Sequence, residues 1–219
     1  MGTRKKDFAN GEFFHIYNRG VDKRVIFTDS YDTRRFLQSI IEFNTIDPIG
    51  SLYQNSFRES GGPTPTLEKL VNIIAYCLNP NHYHLILEQL VDGGISEFMK
   101  RIGGYTSYFN NKYERSGSLF QGRFKAVHID SNEYLLHASA YVNLNDRVHQ
   151  LRGSTPKLIG SVSSWGEYTD RSVRGICGKE IVLGQFKNAD EYQEFALSSL
   201  DLILQRKEDL KDLDKLLLE

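Results

Sequence analysis

The sequence predicts an α+β protein with the ferredoxin-like order β-α-β-β-α-β, in which helices cover one face of an antiparallel sheet and the other face stays open. Three observations lead to this prediction. Apolar runs rich in β-branched and aromatic residues, typical of strands, occur four times before residue 130. Stretches with apolar residues at helical spacing follow the first and the third of these runs. The second and third runs are joined by Asn79-Pro80-Asn81, which predicts a tight turn between antiparallel strands.

The strands and helices are assigned in chain order from local patterns. The predicted strands are Glu12–Asn18, Leu70–Leu78, Tyr83–Leu90 and Arg123–Ile129. The predicted helices begin at a cap at Asp29 or Ser30 and run to about Asn44, cover Ile95–Arg115 with a kink at Gly103-Gly104, and begin at Asp130 or Ser131 and run to about Asn145. The last of these helices is an addition to the ferredoxin-like core.

The pattern changes after residue 150. The sequence therefore divides into a domain over 1–150 and a helical C-terminal extension over 151–219, with a helix predicted over Ala189–Leu204. A long loop rich in Gly, Pro and Ser is expected over Asp47–Pro65. Neither this loop nor the tail from about residue 171, which carries spaced leucines, indicates a function.

Composition narrows the function classes. The formal charge of −1 argues against coating nucleic acid by bulk electrostatics. The longest uninterrupted apolar run, Ile73–Leu78, is far shorter than the roughly 20 residues that span a bilayer, so no membrane association is expected. Two cysteines and a basic N-terminus without an apolar core indicate a cytoplasmic protein.

One segment departs from this neutral average. Within Phe98–His128 six basic residues and one acidic residue give a net charge of +5, and aromatic residues are interleaved with the bases. Single-stranded nucleic acid is bound by such surfaces, because cations contact phosphates and aromatic rings stack on bases. The same pattern also fits a solvated helix whose aromatic residues belong to the core.

His82-Tyr83-His84 is the sharpest local motif. Residues two apart on a strand point to the same face, so the two imidazoles are expected side by side, where they could hold a divalent metal. His15, on the first strand, could lie near the pair as a third imidazole or as a supporting residue.

A second constellation consists of Tyr141 and Asn145, which share a face if they lie on one helix. A tyrosine can attack phosphorus, but its pKa of about 10 leaves it protonated at neutral pH unless a cation is near.

Together these motifs resemble the single-tyrosine HUH transposases of bacterial insertion sequences, and most of all the REP-associated tyrosine transposases. The resemblance covers most of residues 12–150. It rests on the His15–Gly20 segment, on His82-Tyr83-His84 after Leu78–Asn81, on Phe98–Arg101, Tyr105–Asn110 and Leu119–Phe124, and on Tyr141–Asn145. The segment around Trp165 also looks like the one that follows the core in these relatives.

The resemblance implies metal-dependent cleavage and rejoining of single-stranded DNA, at hairpin-flanked sites. His82, His84 and Asn145 would bind Mg²⁺ or Mn²⁺, and Tyr141 would form a 5′-phosphotyrosine. Five bases are candidate DNA contacts from their charge and position: Arg19, Lys100, Arg101, Arg123 and Lys125. Relatives act as monomers or homodimers, and the sequence decides neither this nor the DNA sequence recognised.

One departure and two alternatives accompany this hypothesis. The family often has Pro after the position of Asn145, where this chain has Asp146, a negative charge near the proposed site. The first alternative is a non-catalytic ferredoxin-like module that binds nucleic acid by stacking on sheet aromatics. The second is a zinc-dependent hydrolase using His15, His82 and His84.

Overall fold

The computed structural model describes residues 8–48, 50, 52, 68–150, 160–170 and 172–216, with backbone alone at 149, 150 and 207–216. Most of the predicted loop Asp47–Pro65 lies outside this range, and so do the side chains of the leucine-bearing tail.

Five strands and eight α-helices follow one another along the described chain. The strands are β1 (Phe13–Arg19), β2 (Val71–Asn79), β3 (His82–Gln89), β4 (Lys125–Ile129) and β5 (Val162–Ser163). The helices are α1 (Ser30–Glu42), α2 (Gly94–Ile102), α3 (Tyr105–Lys112), α4 (Asn132–Asn143), α5 (Asn145–Gln150), α6 (Trp165–Thr169), α7 (Glu180–Leu183) and α8 (Ala189–Leu216). A short 3₁₀ turn, Val21–Lys23, follows β1.

The strands form one antiparallel sheet in the order β4-β1-β3-β2-β5. The first four strands have the order expected of the predicted ferredoxin-like topology, and β5 adds an edge beside β2. The predicted α+β fold class is therefore confirmed. Strand β1 is paired with β3 over its whole length, from Phe13 opposite Glu88 to Arg19 opposite His82.

Three predicted boundaries are wrong. The helix expected over Ile95–Arg115 is two helices that meet at Gly103-Gly104, since two residues of low helix propensity adjoin there. The fourth strand begins at Lys125, after Gly122 has adopted the left-handed φ of +75°. The tyrosine-bearing helix α4 ends at Asn143, and Asn145 begins a new helix.

The prediction that one sheet face stays open is also wrong. Helices α1, α2 and α3 cover the face that carries Phe14 and Leu85. The opposite face carries Ala75, Ile86 and Ile129, and these apolar residues are buried under α4 and the C-terminal helices. Apolar side chains on both faces require cover from water on both, so the site is confined to the end of one face.

The C-terminal segment packs closely on the rest of the chain. Strand β5 pairs with β2, and α8 lies against α4 with Tyr192 and Ala196 fully buried. The division into 1–150 and 151–219 stays a prediction. Among the helices of the described chain, none is long and apolar enough to cross a membrane.

Candidate active site

The two histidines of the HxH motif lie on β3 and point to the same face, as predicted. Each is 7% exposed, and their ring centroids are 5.2 Å apart with the planes nearly perpendicular. On β1, Arg19 is opposite His82 and Tyr17 is opposite His84; on β2, Asn79 is opposite His82. The histidines are therefore surrounded by polar residues at one end of the sheet.

Hydrogen bonds hold the ring of His82. Its Nδ1 lies 2.6 Å from the Asn81 Oδ1, an atom that can only accept, so Nδ1 carries the proton when the imidazole is neutral. The lone pair is then on Nε2, which receives a hydrogen bond of 2.9 Å from the Asn79 amide. The Asn145 Oδ1 lies 3.3 Å from the same Nε2.

Asn145 reaches the site from the start of α5 and not from the tyrosine helix. The shared-face argument from i and i+4 spacing is therefore wrong, although both side chains do arrive at the site, because the chain turns at Leu144 between α4 and α5. Asn145 is fully buried, and its Oδ1 accepts a hydrogen bond of 2.8 Å from Asn79. Its Nδ2 is buried and has no hydrogen-bond partner of normal geometry among the described residues.

Tyr141 packs against the histidines of its own chain. Its ring is edge-on to His84 at 5.6 Å between centroids and edge-on to His15 at 6.0 Å. Burial raises the pKa of the Tyr141 phenol, and the nearby Asn145 side chain offsets only part of this. The phenol is therefore protonated at neutral pH unless a cation is bound beside it.

The ring of His15 contacts the ring of His84 from the neighbouring strand β1. Its Nε2 is 2.8 Å from the His84 Nδ1, and the two rings are nearly parallel at 5.0 Å. Burial lowers the pKa of His15 to about 4, so its imidazole is neutral at pH 7. Within the described part of the chain, no group of three or more His, Cys, Asp or Glu side chains is arranged to hold a metal. The arrangement thus gives no support to a zinc site with three histidine ligands.

The donor set that is present fits a divalent ion. The lone pair of His82 Nε2 and the Asn145 Oδ1 are two acceptors separated by 3.3 Å, and His84 lies beside them on the same strand face. Imidazole nitrogen and amide oxygen are ligand types that Mn²⁺ and, for the oxygen, Mg²⁺ accept.

Asp146, the departure from the family pattern, lies near this region. Burial, and after it the charge of Asp146, raises the pKa of the Cys77 thiol to about 12. Cys77 is opposite His84 in the sheet, so the Asp146 carboxylate contributes negative charge near the histidines.

The predicted DNA-contacting bases fall into two groups. Arg19 is at the site, and the exposed Lys125 has its ammonium 5.9 Å from the Tyr17 ring on the same sheet face. Arg123, also exposed, is not beside the histidines: it lines a cavity of about 240 Å³ whose other lining residues include Met99 and Ile102 of α2, on the opposite side of the sheet.

The other two bases lie on α2, which covers the opposite sheet face. The Lys100 side chain is 78% exposed and pairs with Glu97. The Arg101 side chain is only 13% exposed, and its guanidinium donates hydrogen bonds to the backbone carbonyls after α1, at Phe43, Thr45 and Ile46. The structure thus does not bring Lys100 and Arg101 together with the histidines.

Sequence reasoning missed three site residues. Asn79 and Asn81 orient His82, but their pattern Asn-Pro-Asn predicts only a turn. Tyr17 stacks on His84 at 5.7 Å between ring centroids. The predicted tight turn was an available signal for Asn79, since it places Asn79 opposite His82, whereas the register that puts Tyr17 opposite His84 is set by the packing of β1 on β3.

Comparisons with known proteins identify similar sequences and a similar fold. Residues 66–145 match the family model described as "Transposase IS200 like". The chain is similar to the solved structure described as the "REP associates tyrosine transposase bound to a REP hairpin", with a TM-score of 0.50, 16% identity, and coverage of 80% of this chain and 90% of that one. No curated protein matches the sequence. The predicted resemblance is confirmed by the family model over residues 66–145, and the solved structure shows a similar fold.

Proposed function

We propose that this chain is a metal-dependent enzyme that cleaves and rejoins single-stranded DNA through a 5′-phosphotyrosine at Tyr141. The observation that carries the proposal is the packing of the Tyr141 ring against His84 within one chain. His82, His84 and Asn145 would hold Mg²⁺ or Mn²⁺. When bound, such an ion polarises the scissile phosphate and favours the phenolate over the phenol.

The reaction can be written from the side chains present. The Tyr141 oxygen forms a bond to the phosphorus, and the bond from phosphorus to the 3′ oxygen of the preceding nucleotide breaks. The phenol proton is lost and the departing 3′ oxygen gains a proton, which leaves a 3′-hydroxyl. Because the DNA stays joined to the protein by a phosphoester, reversal of these steps reseals the strand without ATP.

The surrounding residues supply binding and orientation. Arg19, opposite His82, and Lys125, beside Tyr17, would contact phosphates of the strand near the scissile bond. Arg123 lines the cavity beside α2 and would contact DNA farther from the histidines. Lys100 would contact DNA only at a distance from the histidines, and Arg101 would act mainly by holding the segment after α1.

A DNA hairpin is the expected neighbour of the cleaved strand, because the solved structure of similar fold is bound to a REP hairpin. Because Tyr141 packs on His84 and Asn145 lies 3.3 Å from His82 within one chain, the proposal is of a monomer, with the homodimer as its alternative. A cytoplasmic location belongs to the same proposal.

Trapping of a covalent adduct tests the proposal. Wild-type protein incubated with labelled single-stranded DNA containing a hairpin and Mn²⁺ should give a protein–DNA adduct that resists denaturation. Tyr141→Phe should give none, whereas Tyr134→Phe, an exposed tyrosine on the same helix, should give the wild-type yield. His82→Ala should lose the adduct and retain most DNA binding.

Two results would contradict the proposal. An adduct that persists in Tyr141→Phe would assign the nucleophile to another residue. Binding of DNA that is indifferent to EDTA, with no adduct in any variant, would favour the non-catalytic binding module.

A further inference from the structure

The contact between His15 and His84 has a consequence for the proposed metal site. The ring nitrogens are 2.8 Å apart, a hydrogen-bond distance, so one imidazole donates and the other accepts. His15 approaches the Nδ1 of His84, the ring nitrogen on the side away from Nε2.

The direction of this hydrogen bond decides where the lone pair of His84 lies. If His15 donates, the neutral His84 ring carries its proton on Nε2, and that nitrogen cannot bind a metal. If His84 donates from Nδ1, its lone pair is on Nε2, and His15 carries its own proton on Nδ1. Only the second arrangement gives His84 the same ligand atom as His82.

His82 provides an internal comparison. Its Nδ1 contacts the Asn81 Oδ1, which can only accept, and so its lone pair is fixed on Nε2. Each histidine of the motif thus has a partner at Nδ1, one supplied by the turn before β3 and the other by β1.

We propose that His15 is a positioning residue: it accepts the Nδ1 proton of His84 and thereby fixes the tautomer and ring orientation that present Nε2 to the metal. This inference rests on the proposed function, because it assumes that His84 is a ligand. Ring packing supports it, since the rings of His15, Tyr17 and His84 form one cluster with centroids 5.0–5.7 Å apart, and the His84 ring makes interplanar angles of 23° with His15 and 20° with Tyr17. Such partners of ligating histidines typically change metal affinity 10- to 100-fold when removed.

The test compares two substitutions of different hydrogen-bonding capacity. His15→Phe keeps a flat ring but removes the acceptor, and Mn²⁺ titrated into this variant should bind 10- to 100-fold more weakly than to wild type in calorimetry. His15→Gln keeps an acceptor in the side chain and should recover most of that affinity. His128→Gln changes a histidine on the opposite face, where its ring contacts Glu12 at 2.7 Å, and should bind Mn²⁺ as wild type does.

A spectroscopic measurement on metal-free protein separates positioning from simple structural support. ¹⁵N correlation spectra of the histidine rings should show the His84 proton on Nδ1 in wild type and in His15→Gln, and a reduced population of that tautomer in His15→Phe. This measurement on the wild type stands even if His15→Phe does not fold.

Different outcomes would contradict the role of His15 and the metal site itself. If wild type and His15→Phe bind Mn²⁺ with equal affinity, the role of His15 is overturned and the proposed function is left intact. A wild-type His84 protonated on Nε2 would do the same. A wild type that fails to bind Mn²⁺, or binds it equally after His82→Ala, would overturn the metal site itself and the role of His15 with it.

Discussion

The hydroxyl of Tyr192 connects the C-terminal helix α8 to the tyrosine-bearing helix α4, and its removal by Tyr192→Phe should destabilise the protein measurably. The residue is fully buried, receives a hydrogen bond of 2.8 Å from the Asn143 Nδ2 and shares one of 3.1 Å with the Ser139 hydroxyl. Asn143 is two residues after Tyr141, and its Oδ1 accepts from Ser164 near β2. The Tyr192 hydroxyl therefore ends a chain of hydrogen bonds that fixes the position of α4.

The size of the decrease in stability follows from the hydrogen bonds that Ser139 and Asn143 lose with the Tyr192 hydroxyl. Ser139 still donates to the carbonyl of Leu136, so its loss is small. The Asn143 Nδ2 loses its partner in a fully buried position, which costs about 1–3 kcal/mol. A net decrease of about 2 kcal/mol in the free energy of unfolding lowers Tm by about 4–8 °C for a chain of this length.

Thermal unfolding followed by circular dichroism measures this effect. Tyr134→Phe is the matched control, because Tyr134 lies on the same helix but is 37% exposed, and its change should stay within about 0.5 kcal/mol. A Tyr192→Phe protein that melts within about 1 °C of wild type would refute the reasoning, since by the same conversion it would leave less than about 0.5 kcal/mol for the hydrogen bonds of the hydroxyl. An equal loss in both variants would refute it as well.

Two further stability predictions concern the opposite face of the sheet. Lys112→Ala removes the ammonium that contacts Asp29 at 2.6 Å and the fully buried Asp32 at 2.8 Å. Urea titration should show a decrease of about 2 kcal/mol in the free energy of unfolding. This is below the roughly 3–5 kcal/mol expected on breaking a fully buried pair, because the Lys112 side chain is 28% exposed. Burial acts to raise the pKa of Asp29, but the hydrogen bond and charge of Lys112 hold that pKa below its ordinary value. The Asp29 carboxylate therefore stabilises the fold above its unfolded pKa of about 4, and this stabilisation is lost as the pH falls through the lower folded pKa. The acid limb of stability against pH should therefore become shallower in Lys112→Ala, and an unchanged limb would contradict the assignment. Gly94→Ala places a Cβ 2.3 Å from the backbone carbonyl oxygen of Leu70 and should lose about 1–3 kcal/mol, whereas wild-type stability would show that α2 shifts freely.

Local pattern in the sequence was sufficient for the parts of the fold that depend on neighbouring residues. Alternation along β3 places His82 and His84 on one face, because successive side chains on a strand point to opposite sides. The order of strands and helices also follows from local periodicity, and it led to the fold class. The resemblance to REP-associated transposases came from motifs such as His82-Tyr83-His84 and Tyr141–Asn145.

Tertiary structure decided what depends on the ends of elements and on contacts between them. The spacing from Tyr141 suggested that Asn145 lies on the same helix, but Asn145 reaches His82 from a separate helix. The chain turns at Leu144, and local propensity does not predict a helix end there. The composition of the Asn-Pro-Asn turn does not predict the hydrogen bonds that Asn79 and Asn81 make to His82.

The sequence by itself therefore determined which chemical groups this protein brings to a site: two imidazoles on one strand face, a tyrosine and an amide. Only the tertiary structure decided how each group is held, with His15 against the Nδ1 of His84 and α4 packed so that Tyr141 meets the same ring. The physical reason is that strand alternation is fixed by backbone geometry within a few residues. Strand register, helix ends and the cover of each sheet face are instead fixed by burial of side chains from distant parts of the chain.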